Sequence, residues 1–116
     1  MKSWAKIDGA LADYVDDNWL RESAVKRRLR EETARLPQAG MQISAHQGQQ
    51  LTLMARAIGA RRAVEVGTFT GYSALCLAEA MGPQGHLICC DLPGDYNAVQ
   101  TLVAVASQQN NPSAAL

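Results

Sequence analysis

The stretch Ala63-Val64-Glu65-Val66-Gly67-Thr68-Phe69-Thr70-Gly71-Tyr72-Ser73 constrains the fold of this chain more than any other. Residues 63–66 form a short apolar run, rich enough in β-branched side chains to predict a buried strand. The run breaks at Gly67. Gly71 follows four residues later, and residues 72–78 open a helical pattern. Strand, glycine turn and helix together bring bare backbone and a helix N-terminus up to a small ligand.

The frame around this turn is small. With 116 residues the chain suffices for one domain. At 47% hydrophobic and 19% charged residues a packed core is within reach, although a single Phe and abundant Ala leave that core thin in large side chains. Eleven Lys and Arg balance eleven Asp and Glu, so no global basic field exists to hold nucleic acid or an anionic membrane. Cys76, Cys89 and Cys90 include no Cys-x-x-Cys pair, which argues against zinc. Adjacent cysteines in a strand point to opposite faces. All three read as small buried hydrophobes in a reducing compartment, so the expected location is cytoplasmic. The N-terminus runs into Asp8 and Asp13 rather than an apolar signal region, and no segment is long enough to span a bilayer.

In chain order, Ile7, Leu11, Tyr14, Val15 and Leu20 predict a helix over 7–20 with one apolar face. A second helix over 23–36 carries Val25, Leu29, Ala34 and Leu36, with Glu31 and Arg35 as an i,i+4 pair. Its bases Lys26, Arg27, Arg28 and Arg30 alternate with Glu22, Glu31 and Glu32 and lack interleaved aromatics. They read as a solvated helix face, not a nucleic-acid surface. Residues 37–40 form a loop, and Met41-Gln42-Ile43 a short extended lead-in. Ser44 and Gln47 then fit a capping box opening a helix that runs through Ile58 and stops at Gly59. Beyond the central turn, the helix from Tyr72 to about Met81 closes at Gly82-Pro83-Gln84-Gly85, and residues 86–90 form a second buried strand ending at Asp91. Strand, helix and strand with short connections predict a right-handed βαβ unit with parallel strands. Another helix is expected over 96–107, and a disordered polar tail over 108–116, giving a single domain over 1–107.

Three ligand classes use a turn of this kind. A Walker-type phosphate loop requires glycines five apart followed by Lys and Ser or Thr, which residues 67–73 lack. A dinucleotide turn requires Gly-x-Gly-x-x-Gly, and Phe69 stands where backbone should approach phosphate. The third class is a nucleoside without phosphates that bears ammonium and carboxylate groups. Glu65 and Asp91, both near strand ends, supply an acid for the ammonium and acceptors for the ribose hydroxyls. Ser73 and the free amides of the helix start suit the carboxylate. Structural alternatives stand beside each: Glu65 pairing with Arg61 or Arg62, Asp91 capping the following turn, Tyr72 as core packing, and the glycines serving only the turn. The joint occurrence, in order and at strand ends, favours the ligand.

The segment 65–73 resembles the first cofactor motif of the S-adenosylmethionine-dependent O-methyltransferases of the catechol and caffeoyl-CoA type. The segment 41–49, Met-Gln-Ile-Ser-Ala-His-Gln-Gly-Gln, is similar to the stretch preceding that motif, and the two N-terminal helices are arranged alike. The resemblance covers roughly residues 10 to 91. It implies a Rossmann-like α/β fold, here truncated after the second parallel strand and preceded by N-terminal helices. It also implies that Met41 and Ile43 lie over the cofactor, that Glu65, Gly67, Thr68 and Ser73 hold its methionine end with Tyr72 beside it, and that Asp91 takes the ribose. Phe69 and Gly71 complete the cofactor-binding set. The family usually binds a divalent metal and methylates a hydroxyl of a catechol-like small molecule; no metal ligands and no catalytic residue are identifiable here. Nothing after Asp91 matches a family position. Two outcomes are therefore expected: an O-methyltransferase, either active or a short form that only binds cofactor, or an inactive remnant serving as a protein-interaction module. Two parallel strands with open edges further suggest a homodimer.

Overall fold

A computed structural model describes residues 8–92. Ile7, the expected helix over 96–107, the tail 108–116 and the far end of the 1–107 domain lie outside the described residues. Helix α1, Gly9–Trp19, starts where the Asp8 carboxylate accepts from the Leu11 amide at 2.8 Å. Helix α2, Ala24–Thr33, is capped by the Ser23 hydroxyl, which accepts from the Lys26 amide. It is shorter than its apolar spacing predicts, because Arg35 and Leu36 turn back with i→i+3 bonds to Glu32 and Thr33 ahead of Pro37. Arg35 thereby leaves the helix, and the i,i+4 pair that forms is Arg28–Glu32, at 2.8 Å, instead of Glu31–Arg35.

The lead-in at Met41 is also corrected. Residues Ala39–Met41 form one turn of 3-10 helix, with the Met41 amide bonded to Gln38 O at 2.9 Å, and the backbone becomes extended only at Gln42. The turn set by Pro37 and Gly40 carries one residue further than the pattern suggests. Helix α3, Ala45–Ala57, begins as the sequence predicts, with Ser44 Oγ accepting from the Gln47 amide at 3.2 Å. Its end is a two-bond αL cap. Gly59 at φ +64° donates to Arg56 O, and Ala60 donates to Ala55 O.

Strand β1, Arg62–Val66, and strand β2, His86–Cys90, pair in parallel with Arg62 opposite His86 and Val66 opposite Cys90. Helix α4, Tyr72–Met81, connects them and is buried on two sides. Tyr72, Leu75 and Cys76 pack with Leu29 of α2, flanked by Ile43 and Ala45. Ala74, Ala78 and Met81 pack on Leu87 of β2, flanked by Ala63 of β1. The spacings 72-75-76 and 74-78-81 are two separate faces of one helix. Small side chains make the double contact possible. A Cβ built on Gly48 of α3 would stand 2.7 Å from Tyr72 Cε1 and 2.8 Å from Cys76 Sγ.

Helix α2 reaches α4 through polar groups as well. Lys26, 5% exposed, pairs with Glu79 of α4 at 2.9 Å, and Ser23 Oγ donates to the same carboxylate. Glu22 accepts two bonds from Arg30 and one from the Tyr72 hydroxyl at 2.5 Å. Burial pushes the Glu22 carboxyl up, but these bonds and the arginine charges outweigh it and hold the group below the usual range. The basic cluster of α2 is thus committed internally: Lys26 to Glu79, Arg28 to Glu32, Arg30 to Glu22, with Arg27 at 3.9 Å from Glu22.

The strands are not buried on both sides as their composition suggests. Only the face toward α4 is covered; Leu87 is 1% exposed, whereas Val66 is 85% exposed, and Val64 and Ile88 are open too. No described residue packs over that second face. For the same reason only Cys76 is buried among the cysteines, while Cys89 is half-buried and Cys90, one residue on and on the open side, is exposed. Helix α1 has no buried residue, and Leu11 and Tyr14 of its apolar face stand exposed. No helix of the described residues is long and apolar enough to cross a membrane.

Gly48→Ala tests the α3–α4 contact. The new methyl should lower the melting temperature, because overpacking costs about 1–3 kcal/mol against a helix-propensity gain of about 1 kcal/mol. Thermal denaturation decides it; an unchanged or higher midpoint would contradict the close approach.

Candidate functional site

The turn between β1 and α4 passes through three left-handed residues: Gly67 at φ +90°, Phe69 at +52° and Gly71 at +95°. Glycine adopts such angles freely, whereas a bulky L-residue does so at a cost of about 1–2 kcal/mol. Phe69 is held there by its neighbours. Its amide donates to Asp91 Oδ2 at 2.6 Å and its ring is buried. On either side, Gly67 N extends the sheet ladder to Cys90 O at 2.8 Å, and Gly71 N closes onto Thr68 O at 2.9 Å. From below, Thr70 Oγ1 meets Thr33 Oγ1 of α2 at 2.9 Å, both side chains being fully buried. The turn is therefore fixed by the sheet, by the tip of β2 and by the N-terminal helices at once.

Two carboxylates flank it. Glu65, on the α4 side of β1, accepts a hydrogen bond from Ser73 Oγ in the first turn of α4 and lies 3.7 Å from Cys89 Sγ. Burial raises the Glu65 carboxyl above its ordinary range; the Ser73 and Cys89 bonds pull it down, and the charge of Asp91 adds to the rise. The Cys89 thiol is itself pushed up to about 12 by burial and by Glu65, so it is neutral and not a nucleophile at ordinary pH. Asp91, exposed at the end of β2, uses one oxygen for Phe69 N and the other for Leu92 N at 2.8 Å. The turn-capping alternative for Asp91 is thus realised through Leu92 N, and its other oxygen braces the glycine turn at Phe69 N. Arg61 and Arg62 are not the partners of Glu65.

A small pocket of about 60 Å³ sits against the turn, lined by Met41, Gln42 and Ile43 on one side and by Gly67, Thr68, Phe69, Thr70, Tyr72 and Ser73 on the other. The structure thus brings Met41 and Ile43 onto the same pocket as the glycine turn, as expected from sequence. Glu65 and Asp91 adjoin it through Ser73 and Phe69, and Gly71 forms the N-cap of α4. Tyr72 lines the pocket, but its hydroxyl belongs to Glu22. Sequence reasoning missed Gln42, whose Oε1 is buried without a partner, and Thr33, the anchor of Thr70. No local pattern signals Thr33, because its partner is 37 residues away.

Several features leave room for a ligand. A Cβ on Gly67 would meet nothing within 4 Å, so the backbone there is bare. The N-cap of α4 is glycine, and no side chain caps the helix amides. Thr68 Oγ1 is buried and makes no hydrogen bond of ordinary geometry, with the Cys89 thiol beside it. This donor and acceptor set suits an amino-acid head group and a ribose. A metal fits less well: among the described residues no three His, Cys, Asp or Glu side chains converge. A larger depression of about 750 Å³ lies at the other end of the sheet, along Arg61, Arg62, Val64, Gln84, His86 and Ile88. It belongs to the uncovered face, away from the carboxyl ends of the strands where open α/β sheets bind ligands.

Comparison with known proteins agrees with this geometry. A family model described as O-methyltransferase matches residues 16–110. Catechol O-methyltransferase domain-containing protein 1 of Mus musculus is 38% identical over 88 residues, covering 76% of this chain and 34% of that protein. Caffeoyl-CoA O-methyltransferase 2 of Petunia hybrida is 38% identical over 85 residues, covering 72% and 35%. Among solved structures, the O-methyltransferase TomG from Streptomyces achromogenes, in complex with SAM, superposes with a TM-score of 0.77 at 27% identity, covering 91% of this chain and 47% of that one. A Klebsiella pneumoniae protein described as a putative O-methyltransferase gives 0.76 at 26% identity. The chain spans about a third of the length of these curated relatives and about half of the structural ones. Its helices and parallel strand pair are those of the Rossmann-like methyltransferase fold, and the chain belongs to the O-methyltransferase family.

Proposed function

We propose that this chain binds S-adenosylmethionine at the β1–α4 turn and serves methyl transfer to an oxygen of a small, catechol-like molecule. The observation that carries the reading is the placement of Glu65 and Asp91 at the carboxyl ends of adjacent parallel strands, each bonded to one side of the same glycine turn. Glu65, already the acceptor for Ser73, offers negative charge to the ligand's ammonium. The uncapped amides of α4 and the bare backbone at Gly67 receive its carboxylate. Asp91, which holds Phe69 N and Leu92 N at the tip of β2, brings a charged acceptor to the place where the ribose hydroxyls would lie. Met41 and Ile43 close the pocket from above.

When bound, S-adenosylmethionine supplies an activated methyl group on sulfur, which the acceptor oxygen takes by in-line displacement. The residues of this chain fix the donor's position and exclude water, and positioning is the main contribution a protein makes to such a step. No step is assigned to a metal, since the described residues offer no donor set for one. The open sheet face favours association with a second copy.

Isothermal titration with S-adenosylmethionine and its demethylated product tests the binding reading; absence of heat with both, from folded protein, would remove it. Asp91→Ala should weaken affinity about ten- to a hundred-fold, from the loss of charge-assisted bonds of roughly 1.5–3 kcal/mol. It should also lower the melting temperature, because Phe69 N loses its acceptor. A lowered melting temperature with unchanged affinity would end the ribose assignment.

Glu65 separates binding from stability. Its folded-state pKa is raised, so its contribution is fully present below the unfolded value, about 4.3, and is lost as pH rises through the folded value. Glu65→Gln removes that loss. Relative to the wild type, the variant should therefore gain melting temperature as the pH rises above about 4, while its cofactor affinity falls. A variant whose relative stability is flat or declining over that range would refute the buried-carboxylate account.

A further inference from the structure

A second cleft lies on the other side of α4, where the end of α1 and the start of α2 cross α3. It measures about 220 Å³, and its walls include Trp19, Arg21, Lys26, Leu53, Arg56 and Glu79. We propose that this cleft is a binding site for a small organic anion carrying an apolar ring, separate from the methyl-transfer site. No residue of this cleft lines the pocket at the glycine turn.

The charge balance points to an anion. Three cations face one carboxylate, and that carboxylate, Glu79, is consumed by Lys26 and Ser23. The Arg21 guanidinium meets only the backbone carbonyls of Asn18 and Leu20. The Arg56 side chain makes no hydrogen bond or ion pair among the described residues. Of the acids on neighbouring segments, Asp16 lies against His46, and Glu22 is held by Arg30 and Tyr72. Two guanidinium groups without a carboxylate partner, at the rim of one cleft, are the fork-shaped donors that recognise carboxylate or phosphate oxygens.

The walls specify the rest of the ligand. Trp19 and Leu53 present apolar surface, and Trp19 is already a stacking residue, with His46 at 6.3 Å between ring centroids and 15° between planes. The volume of about 220 Å³ has room for a single ring. The floor is rigid: Lys26 is buried against α4. The roof is not a separate lobe, because Gln49 of α3 bonds both Trp19 O and Arg21 N. An occupant would therefore tie the α1–α2 connection to α3.

Benzoate is the probe, followed through the Trp19 indole cross-peak in a ¹H–¹⁵N spectrum of the intact chain, with benzamide as the uncharged control. Benzoate should shift that peak saturably and raise the melting temperature. Benzamide should bind at least about tenfold more weakly, as expected for loss of one charge-assisted hydrogen bond. Arg56→Ala, which removes no side-chain hydrogen bond or ion pair among the described residues, should weaken benzoate about tenfold. Added salt should weaken it as well, since the arginines are exposed. Asp91→Ala should leave benzoate binding intact. No saturable shift, equal binding of benzamide, or an Arg56→Ala chain that binds like wild type would each overturn the proposal. If Arg56→Ala unfolds, Arg21→Ala provides the same comparison.

Discussion

Helix α4 has to be buried on two sides at once, and the rest of the molecule is arranged to permit it. One face meets α2 and α3, the other meets the strands. Ala74 and Ala78 bring the sheet close, and Gly48 brings α3 close enough that even a methyl group would collide with Tyr72 and Cys76. Buried apolar area is the main favourable term in folding, and in a chain with a single Phe that area comes from close approach of many small groups rather than from a few large ones. The position of α4 then sets the glycine turn, because Gly71 is both the last residue of the turn and the N-cap of the helix.

A polar layer complements this packing. Glu22 ties Arg30 to Tyr72, Lys26 and Ser23 share Glu79, and Thr33 meets Thr70. Groups of this kind contribute little net energy when satisfied and cost much when left unsatisfied. Their effect is to fix the register of α2 against α4, and with it the height of the turn above the helices. Segment 41–43 then lies against the turn as its other wall. The site is thus assembled from pieces that come together only when the helical layer is in place.

The strand pair shows the opposite condition. Its α4 face is closed and its second face, with Val64, Val66 and Ile88, is open. A doubly wound sheet is covered on both sides, and this chain spans about half of the structural relatives that share its fold. The open face is therefore the region of the molecule whose energetics depend most on what packs against it.

Much of this was legible in the sequence, for local reasons. The strand–glycine–helix stretch, the Ser44 cap, the Gly59 stop and the parallel strands follow from side-chain period, capping chemistry and the backbone freedom of glycine, all of which act within a few residues. That stretch and the end of the second strand singled out Glu65, Ser73 and Asp91 as a candidate set, because strand ends and helix starts have fixed geometry. What tertiary structure alone decided is which groups meet across the chain. The sequence allowed Glu65 an arginine partner, and the fold gave it Ser73 and Cys89. Asp91 was free to cap its own turn or to face the ligand, and the fold engages it both with Leu92 N and, across the chain, with Phe69 N. The composition of the strands predicted burial, yet burial depends on a covering layer that no strand carries in its own residues. No local pattern told Thr33 its partner, since the hydroxyl it meets lies 37 positions further along the chain and is brought to it only by the packing of α2 on α4.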